Sequence, residues 1–263
     1  LMRMGLEKSG WNVVFANDID AGKQRMYLDQ FPKSSNEFIL GDIHQLEIES
    51  IPRASLATAS FPCNDLSLAG ARNGLSGKNS SAFWGFVRIL TKLRERRPPL
   101  VLLENVAGFL TSNKGQDLFD ALTALNELDY SVDAALINAA HFVPQSRKRL
   151  FIIGMQNSQK RSSADFYSDS RELEPHDVRP KNLIQFINEH QEIEWRIRKL
   201  PGLPKRRGAL SEIVDTNHNG WWPEERVVKM LRQLQSLHQN RLAEMQQKDE
   251  WSFATAFKRV RSG

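Results

Sequence analysis

Short apolar runs alternate with amphipathic stretches over the first 155 residues of the chain. Apolar residues at three- and four-residue spacing over 82–96 predict an amphipathic helix, and similar patterns predict helices over 21–31 and 116–128. The apolar runs predict strands over 13–16, 55–60, 100–103, 131–137 and 150–153. Strands separated by helices in this way indicate an α/β fold with a doubly wound, mostly parallel sheet. Such sheets bind ligands at the carboxyl ends of their strands.

The pattern changes after residue 155. Residues 156–179 are mostly polar and charged, which predicts a surface connection, and a helix over 182–188 follows. Pro223 and the two acidic residues after it predict the start of a further helix. Its expected core-facing stripe consists of Val227, Leu231, Leu234, Leu242 and Met245. We therefore predict one α/β domain over 1–155, followed over 156–263 by a connector and a helical segment.

Composition limits the function classes without choosing among them. The net charge of +5 permits a polyanionic partner such as nucleic acid but does not require one. The single cysteine excludes an intrachain disulfide and an all-cysteine metal site, which favours a reducing compartment. The sequence has no run near the roughly 20 apolar residues of a membrane-spanning helix. Its N-terminus lacks the apolar core of a secretory signal.

The single cysteine, Cys63, follows Pro62 directly after a predicted strand. A lone cysteine is more often a small buried hydrophobe than a reactive group. Here, however, it precedes a segment rich in glycine, serine and asparagine over 68–81, which is typical of a loop that closes over a ligand. Cys63 is therefore a candidate nucleophile.

Two further motifs carry candidate chemistry. The predicted strand at 100–103 is followed directly by Glu104 and Asn105. The strand at 150–153 is preceded by a segment with Gln145, Arg147 and Arg149 at alternate positions. An acid at a strand exit and a basic strand edge are common solvated features, so each motif alone is weak. In an extended segment, Arg147 and Arg149 would project to one side.

Taken together and in order, these motifs resemble the family of cytosine-C5 DNA methyltransferases. The upstream stretches 10–18 and 41–43 resemble the second strand of that family, which ends in an acid, and the turn after its third strand. The resemblance covers residues 1 to about 155. It implies a Rossmann-like methyltransferase domain, with 156–263 leading toward a target-recognition region.

The resemblance implies a role for each motif residue. Cys63 corresponds to the nucleophile that attacks C6 of a cytosine swung out of the duplex, which makes C5 nucleophilic. Glu104 corresponds to the proton donor at N3, a role that an apolar, enclosed setting would favour. The resemblance implies that Arg147 and Arg149 contact the flipped nucleotide. It also implies that Ser67, Asn105 and Gln145 contact the DNA or support the site.

The same resemblance implies S-adenosyl-L-methionine as cofactor, S-adenosyl-L-homocysteine as product, and no metal. Asp18 corresponds to the acid that binds the ribose hydroxyls, and Asp42 to the acceptor for the adenine amino group. The apolar contacts expected for the cofactor come from Ile19, Ile43, Pro62 and Phe83. Ile19 stands where some members carry an aromatic residue, so the contact persists without stacking.

The expected partner is double-stranded DNA, with no membrane association. The resemblance further implies a monomer, functional pairing with a restriction endonuclease and action in the bacterial cytoplasm. We expect the glycine-rich first motif, the recognition region and the two closing motifs of the family to lie outside this chain, which would make the chain incomplete for activity.

Three alternatives stay open at this point. The tRNA-methylating branch of the same family shares these motifs. A catalytically inactive DNA-binding relative would keep the fold, although it would have no need of the thiol. A thiol hydrolase using Cys63 with His141 is a third alternative, but a cysteine and a histidine in one chain are a common coincidence.

Overall fold

The computed structural model describes residues 2–61, 81–157, 173–205, 209–215, 217 and 220–248. The chain divides into two compact units. The first unit comprises Leu1–Asn138 and Lys148–Leu203, and the second comprises Ala139–Arg147 and Pro204–Gly263. The predicted boundary near residue 155 stays a prediction about domain organisation.

The first unit contains two groups of hydrogen-bonded strands. Strands β1 (Ala16–Asp18) and β2 (Phe38–Leu40) form a parallel pair. A four-stranded sheet has the order β3-β4-β6-β5, formed by β3 (Leu56–Ser60), β4 (Leu100–Val106), β5 (Tyr130–Asn138) and β6 (Lys148–Gln156). Each predicted strand therefore has a counterpart, but β2 was not predicted. β1 begins three residues later than predicted, and β4 and β6 extend beyond the predicted apolar runs.

Strand β6 is antiparallel to both of its neighbours, whereas β3 and β4 are parallel. The α/β prediction is confirmed, and this reversed strand explains why the sheet is only mostly parallel. The connection from β5 to β6 is the nine-residue stretch 139–147. A crossover to a parallel neighbour needs a dozen or more residues, so a connection of this length reverses the chain.

The described residues of the first unit form the α-helices α1 (Met2–Lys8), α2 (Ala21–Gln30), α3 (Ser81–Leu93), α4 (Gln116–Asn126) and α5 (Lys181–Glu189). The helix periodicities predicted α2, α3, α4 and α5. The predicted apolar face of α3 is buried, because Phe83, Phe86, Leu90 and Leu93 all lie in hydrophobic clusters. Phe83, Phe86 and Leu90 share one cluster with Val101 and Leu103 of β4, and Leu93 packs in a second cluster with Leu46 and Ile51.

The outer edge of β5 is covered by the stretch 173–203. Val132 donates its backbone N–H to Glu194 O at 2.9 Å and accepts from Arg196 N at 2.8 Å. Arg179 Nη2 lies 2.8 Å from both carboxylate oxygens of Asp133 on β5, and the arginine has no exposed surface. This buried pair ties the covering stretch to the sheet edge.

The second unit contains α6 (Glu224–Leu231) and α7 (Ser236–Gln246). The single long helix predicted after Pro223 is wrong, because the backbone leaves the helical region at Gln235 (φ −67°, ψ 153°). The predicted core-facing stripe is also wrong, since neither helix has a buried residue among those described. In this unit, apolar periodicity alone did not distinguish a partly exposed face from a core face.

The Asp133–Arg179 pair generates a stability prediction. Arg179→Met leaves a buried carboxylate without its cation, and such a loss typically costs about 3–5 kcal/mol of unfolding free energy. Urea denaturation followed by circular dichroism measures this change. Glu192→Gln is the control, because it removes one partner of the exposed His190–Glu192 contact, and exposed contacts of this kind contribute little to stability. Equal effects of the two substitutions would contradict the structural role of Arg179.

Candidate active site

Glu104 and Arg149 face each other across β4 and β6. Val106 is opposite Arg149 and Glu104 is opposite Phe151, so Glu104 and Arg149 are diagonal neighbours on one face of the sheet. Arg149 Nε lies 2.8 Å from Glu104 Oε1. The two side chains are 18% and 23% exposed respectively, so a ligand at this edge can reach both. The structure thus brings together two of the predicted site residues.

The surroundings of Glu104 differ from the apolar, enclosed setting that the sequence suggested. β4 continues through Val106, so Glu104 lies within the strand rather than after it. One of its oxygens is engaged by the guanidinium, and that guanidinium also donates from Nη1 to Lys148 O at 2.8 Å. The pair is therefore a polar, charge-assisted contact at the end of two strands.

Asn105 points to the opposite side of β4 from Glu104, because side chains alternate along a strand. It is 4% exposed, and its Oδ1 accepts from Val106 N at 2.8 Å. Its Nδ2 is buried and has no hydrogen-bond partner within the described part of the chain. Since buried amide donors are almost always paired, this one is an exception that calls for a functional explanation.

The predicted nucleophile follows the strand next to Glu104. The last residue of β3, Ser60, is opposite Glu104 in the parallel ladder, and Phe61 after it is buried in the core. Pro62, Cys63 and Ser67 lie outside the described residues, as does the predicted closing loop except for its last position.

Gln145 and Arg147 belong to the second unit, and both are exposed there. Gln145 donates its backbone N–H to Val143 O at 2.7 Å, and the carbonyl of Arg147 accepts from Ala139 N at 3.1 Å. His141, of the alternative hydrolase hypothesis, has Nδ1 3.0 Å from Pro204 O in the same unit. The roles predicted for Gln145 and Arg147 stay predictions.

Asp18 ends β1 with a partly exposed carboxylate. It accepts from Asp20 N at 3.0 Å and lies 3.1 Å from the exposed ammonium of Lys23. Asp20 caps α2, and hydrogen bonds from the backbone N–H groups of Lys23 and Gly22 lower the pKa of Asp20. Ile19 between the two acids is 68% exposed, which leaves an apolar surface beside the carboxylate.

Asp42 and Ile43 form the turn that follows β2, the parallel partner of β1. Asp42 accepts from His44 N at 2.9 Å and so caps a short 3₁₀ helix, Ile43–Gln45. Because β1 and β2 are parallel, Asp18 and this turn lie at the same edge of the pair. Two carboxylates beside an exposed isoleucine fit the hydroxyls, amino group and ring of an adenosine.

Phe83 differs from the other predicted cofactor residues. It has no exposed surface and packs against Phe61 and Trp84, with ring centroids 5.2 and 5.0 Å away. Phe83 therefore belongs to the hydrophobic core, and its predicted contact with the cofactor stays a prediction. The helical spacing that identified α3 was the signal for this burial.

Sequence reasoning missed two residues that touch the turn after β2. Arg88 on α3 donates from Nη2 to Ile43 O at 3.0 Å, and Gly85 on the same helix packs directly against Ile43. Helical periodicity places Arg88 on the polar face of α3, opposite Phe86 and Leu90, so the sequence carried no signal for its contact with the turn.

Two negative findings concern the described residues alone. They contain no cluster of three or more histidine, cysteine, aspartate or glutamate side chains suited to a metal ion. None of their helices combines the length and the apolarity needed to cross a membrane.

Comparison with known proteins finds Type II methyltransferases among the relatives of this chain. The chain is 36% identical over 162 residues to the Type II methyltransferase M.DsaV of Dactylococcopsis salina, covering 61% of this chain and 44% of that protein. It is 33% identical over 156 residues to M.HhaI of Haemophilus parahaemolyticus, covering 59% and 46% respectively. With M.BanI of Aneurinibacillus aneurinilyticus it shares 29% identity over 228 residues, covering 82% and 51%. The chain thus spans about half the length of these relatives.

A solved structure supports the fold. A mutant of the DNMT2 of Spodoptera frugiperda superimposes with a TM-score of 0.55 at 21% identity, covering 88% of this chain and 60% of that one. The family model described as C-5 cytosine-specific DNA methylase matches residues 1–261. This protein therefore belongs to the C-5 cytosine-specific DNA methylase family.

Proposed function

We propose that the protein transfers a methyl group from S-adenosyl-L-methionine to C5 of a cytosine in double-stranded DNA. The observation that carries this proposal is the Glu104–Arg149 pair. It lies at the edge of the sheet where β3 ends, three residues before Cys63. The proposal also covers the finer expectations of a flipped base, a covalent intermediate, a monomeric protein and a paired endonuclease in the bacterial cytoplasm.

Chain connectivity supports a common site for the sulfur and the carboxylate. Ser60 is opposite Glu104, and neighbouring strands lie roughly 4.8 Å apart. Cys63 is three residues beyond Ser60, a length of chain that spans at most about 10 Å. This length of chain is enough for Cys63 to reach a pyrimidine held at Glu104.

The proposed reaction begins when the Cys63 thiolate forms a bond to C6 of the cytosine. The ring electrons move toward N3, which takes a proton from Glu104, and C5 becomes nucleophilic. Because Arg149 engages Oε1 of Glu104, we assign the proton transfer to Oε2. Arg149 then has two tasks, to orient the carboxyl group and to donate to the cytosine O2.

The cofactor, when bound, would supply the methyl group to C5 and would leave as S-adenosyl-L-homocysteine. A base then removes the C5 hydrogen as a proton, the electron pair of that C–H bond expels the thiolate, and N3 returns its proton to Glu104. A cytosine within the duplex hides C6, so the reaction requires the base to leave the stack, at a cost of a few kcal/mol.

For the cofactor, the donors and surfaces at the end of the β1–β2 pair fit its nucleoside. Asp18 would hold the ribose hydroxyls, and Asp42 would accept from the adenine amino group, with Ile19 and Ile43 against the ring. The Lys23 side chain is 63% exposed, so its contact with Asp18 is weak enough to yield to a hydroxyl. When bound, S-adenosyl-L-methionine supplies an electrophilic methyl group.

Duplex DNA with 5-fluorocytosine at the target tests the covalent step. Fluorine cannot leave C5 as a cation, so the bond from Cys63 to C6 should become permanent in the presence of cofactor. We expect a protein–DNA adduct that survives denaturing electrophoresis, and its loss in Cys63→Ala. A full-length protein that methylates its target without forming this adduct would contradict the covalent mechanism.

The role of Glu104 predicts a rate effect without a binding effect. Glu104→Gln keeps the shape of the side chain but cannot deliver the proton, so kcat should fall about 10²–10⁴-fold. Transfer of tritiated methyl measures kcat, and a gel-shift titration should give a DNA Kd close to that of the parent protein. Glu127→Gln, at an exposed position after α4, is the control and should retain full activity. An unchanged kcat in Glu104→Gln would reject the assignment.

Parallel methylation assays on duplex DNA and on tRNA distinguish the proposed function from the tRNA-methylating alternative. Under saturating cofactor, we expect methyl incorporation into duplex DNA and none into tRNA. Incorporation into tRNA alone would replace the proposed substrate. Binding of either nucleic acid without any methyl transfer would instead support the inactive relative.

A further inference from the structure

The turn that carries Asp42 and Ile43 is held in place by one face of α3. Arg88 Nη2 donates to Ile43 O at 3.0 Å and to Leu46 O at 3.3 Å, so one guanidinium bridges both ends of the 3₁₀ helix that follows Asp42. Arg88 is partly buried, and its Nε has no partner among the described residues. The arginine is therefore committed to these two carbonyl groups.

Gly85, one turn earlier on α3, determines how closely Ile43 can approach the helix. A Cβ at position 85 would lie 2.6 Å from Ile43 Cγ2 and 3.2 Å from His44 Cε1. No side chain larger than hydrogen fits there unless Ile43 moves. Glycine within a helix is unfavourable relative to alanine, so its presence here is explained by this close contact.

Residues three apart share a helix face, so Gly85 and Arg88 act on the turn together. The glycine sets the distance of the Ile43 side chain from α3, and the arginine fixes the backbone of the same residue. We propose that Gly85 and Arg88 are positioning residues that place the Asp42–Ile43 turn for recognition of the cofactor's adenine. This inference rests on the proposed use of S-adenosyl-L-methionine.

The chain offers a matched control for Arg88. Arg96 also donates to two backbone carbonyls, Ile51 O and Ile48 O, each at 2.9 Å. Both arginines thus attach the stretch between β2 and β3 to α3 and its C-terminal extension. Arg96, however, holds the second 3₁₀ helix, Ile48–Ser50, which contains no predicted cofactor residue. If both arginines were purely structural, their substitution would have equal effects on cofactor binding. A positioning role predicts that only substitution of Arg88 changes cofactor binding.

The experiment compares two ligands by calorimetry on the full-length protein. S-adenosyl-L-homocysteine carries the 6-amino group that Asp42 is proposed to accept from, and S-inosyl-L-homocysteine lacks it. The parent protein should prefer the adenosyl ligand. Arg88→Ala and Gly85→Ala should weaken its binding about tenfold and reduce the preference between the two ligands. Arg88→Lys keeps a hydrogen-bond donor, so it should recover part of the affinity for the adenosyl ligand and part of the preference between the two ligands.

Arg96→Ala and Gly5→Ala should keep both the affinity and the preference of the parent protein, since a Cβ at position 5 meets nothing within 4 Å. The preference is a ratio, so it does not follow a general loss of stability. An unchanged preference in Arg88→Ala and Gly85→Ala, or the same reduction in Arg96→Ala, would overturn the proposal. Failure of the parent protein to bind the adenosyl ligand would instead reject the proposed function itself, and this inference with it.

Discussion

β6 runs antiparallel to β4, and this reversal carries Arg149 to the edge where β4 presents Glu104. β6 has nine residues, or roughly 30 Å of extended chain, so a parallel β6 would place Arg149 at the far edge of the sheet. The pairing register matters equally. Leu150 and Ile152 are 1% exposed, and a slip of one residue would exchange them with the face that carries Arg149. The hydrophobic core therefore specifies the position of a polar pair.

Two arginine–carboxylate pairs of the same chemistry lie in different environments. Arg179 is fully buried against Asp133, so loss of one partner leaves a charge in the protein interior. Arg149 and Glu104 retain exposed surface at the end of their strands, which makes the pair weaker as a structural contact and accessible to a ligand. Burial, rather than geometry, distinguishes the pair that stabilises the sheet edge from the pair suited to chemistry.

Periodicity predicted α3, α4 and α5 and the strands of the four-stranded sheet, whose elements contribute residues to the core. It could not predict the direction of β6, which depends on the length of a connection, or the burial partner of Asp133, which lies 46 residues away. The acid within the apolar strand 131–137 did signal that some partner exists. Motif order predicted that Glu104 and Arg149 lie close together, and the structure shows them as an ion pair.

α3 connects the two halves of the proposed site. Its N-terminal end follows the segment that contains Cys63, and its C-terminal end leads into β4, which carries Glu104. Through Gly85 and Arg88 the same helix contacts the turn proposed to hold the adenine. Methyl transfer requires that the donor and the acceptor carbon be held at a fixed separation. A helix whose apolar face is buried in two hydrophobic clusters supplies such a rigid link, because it moves only if the core moves with it.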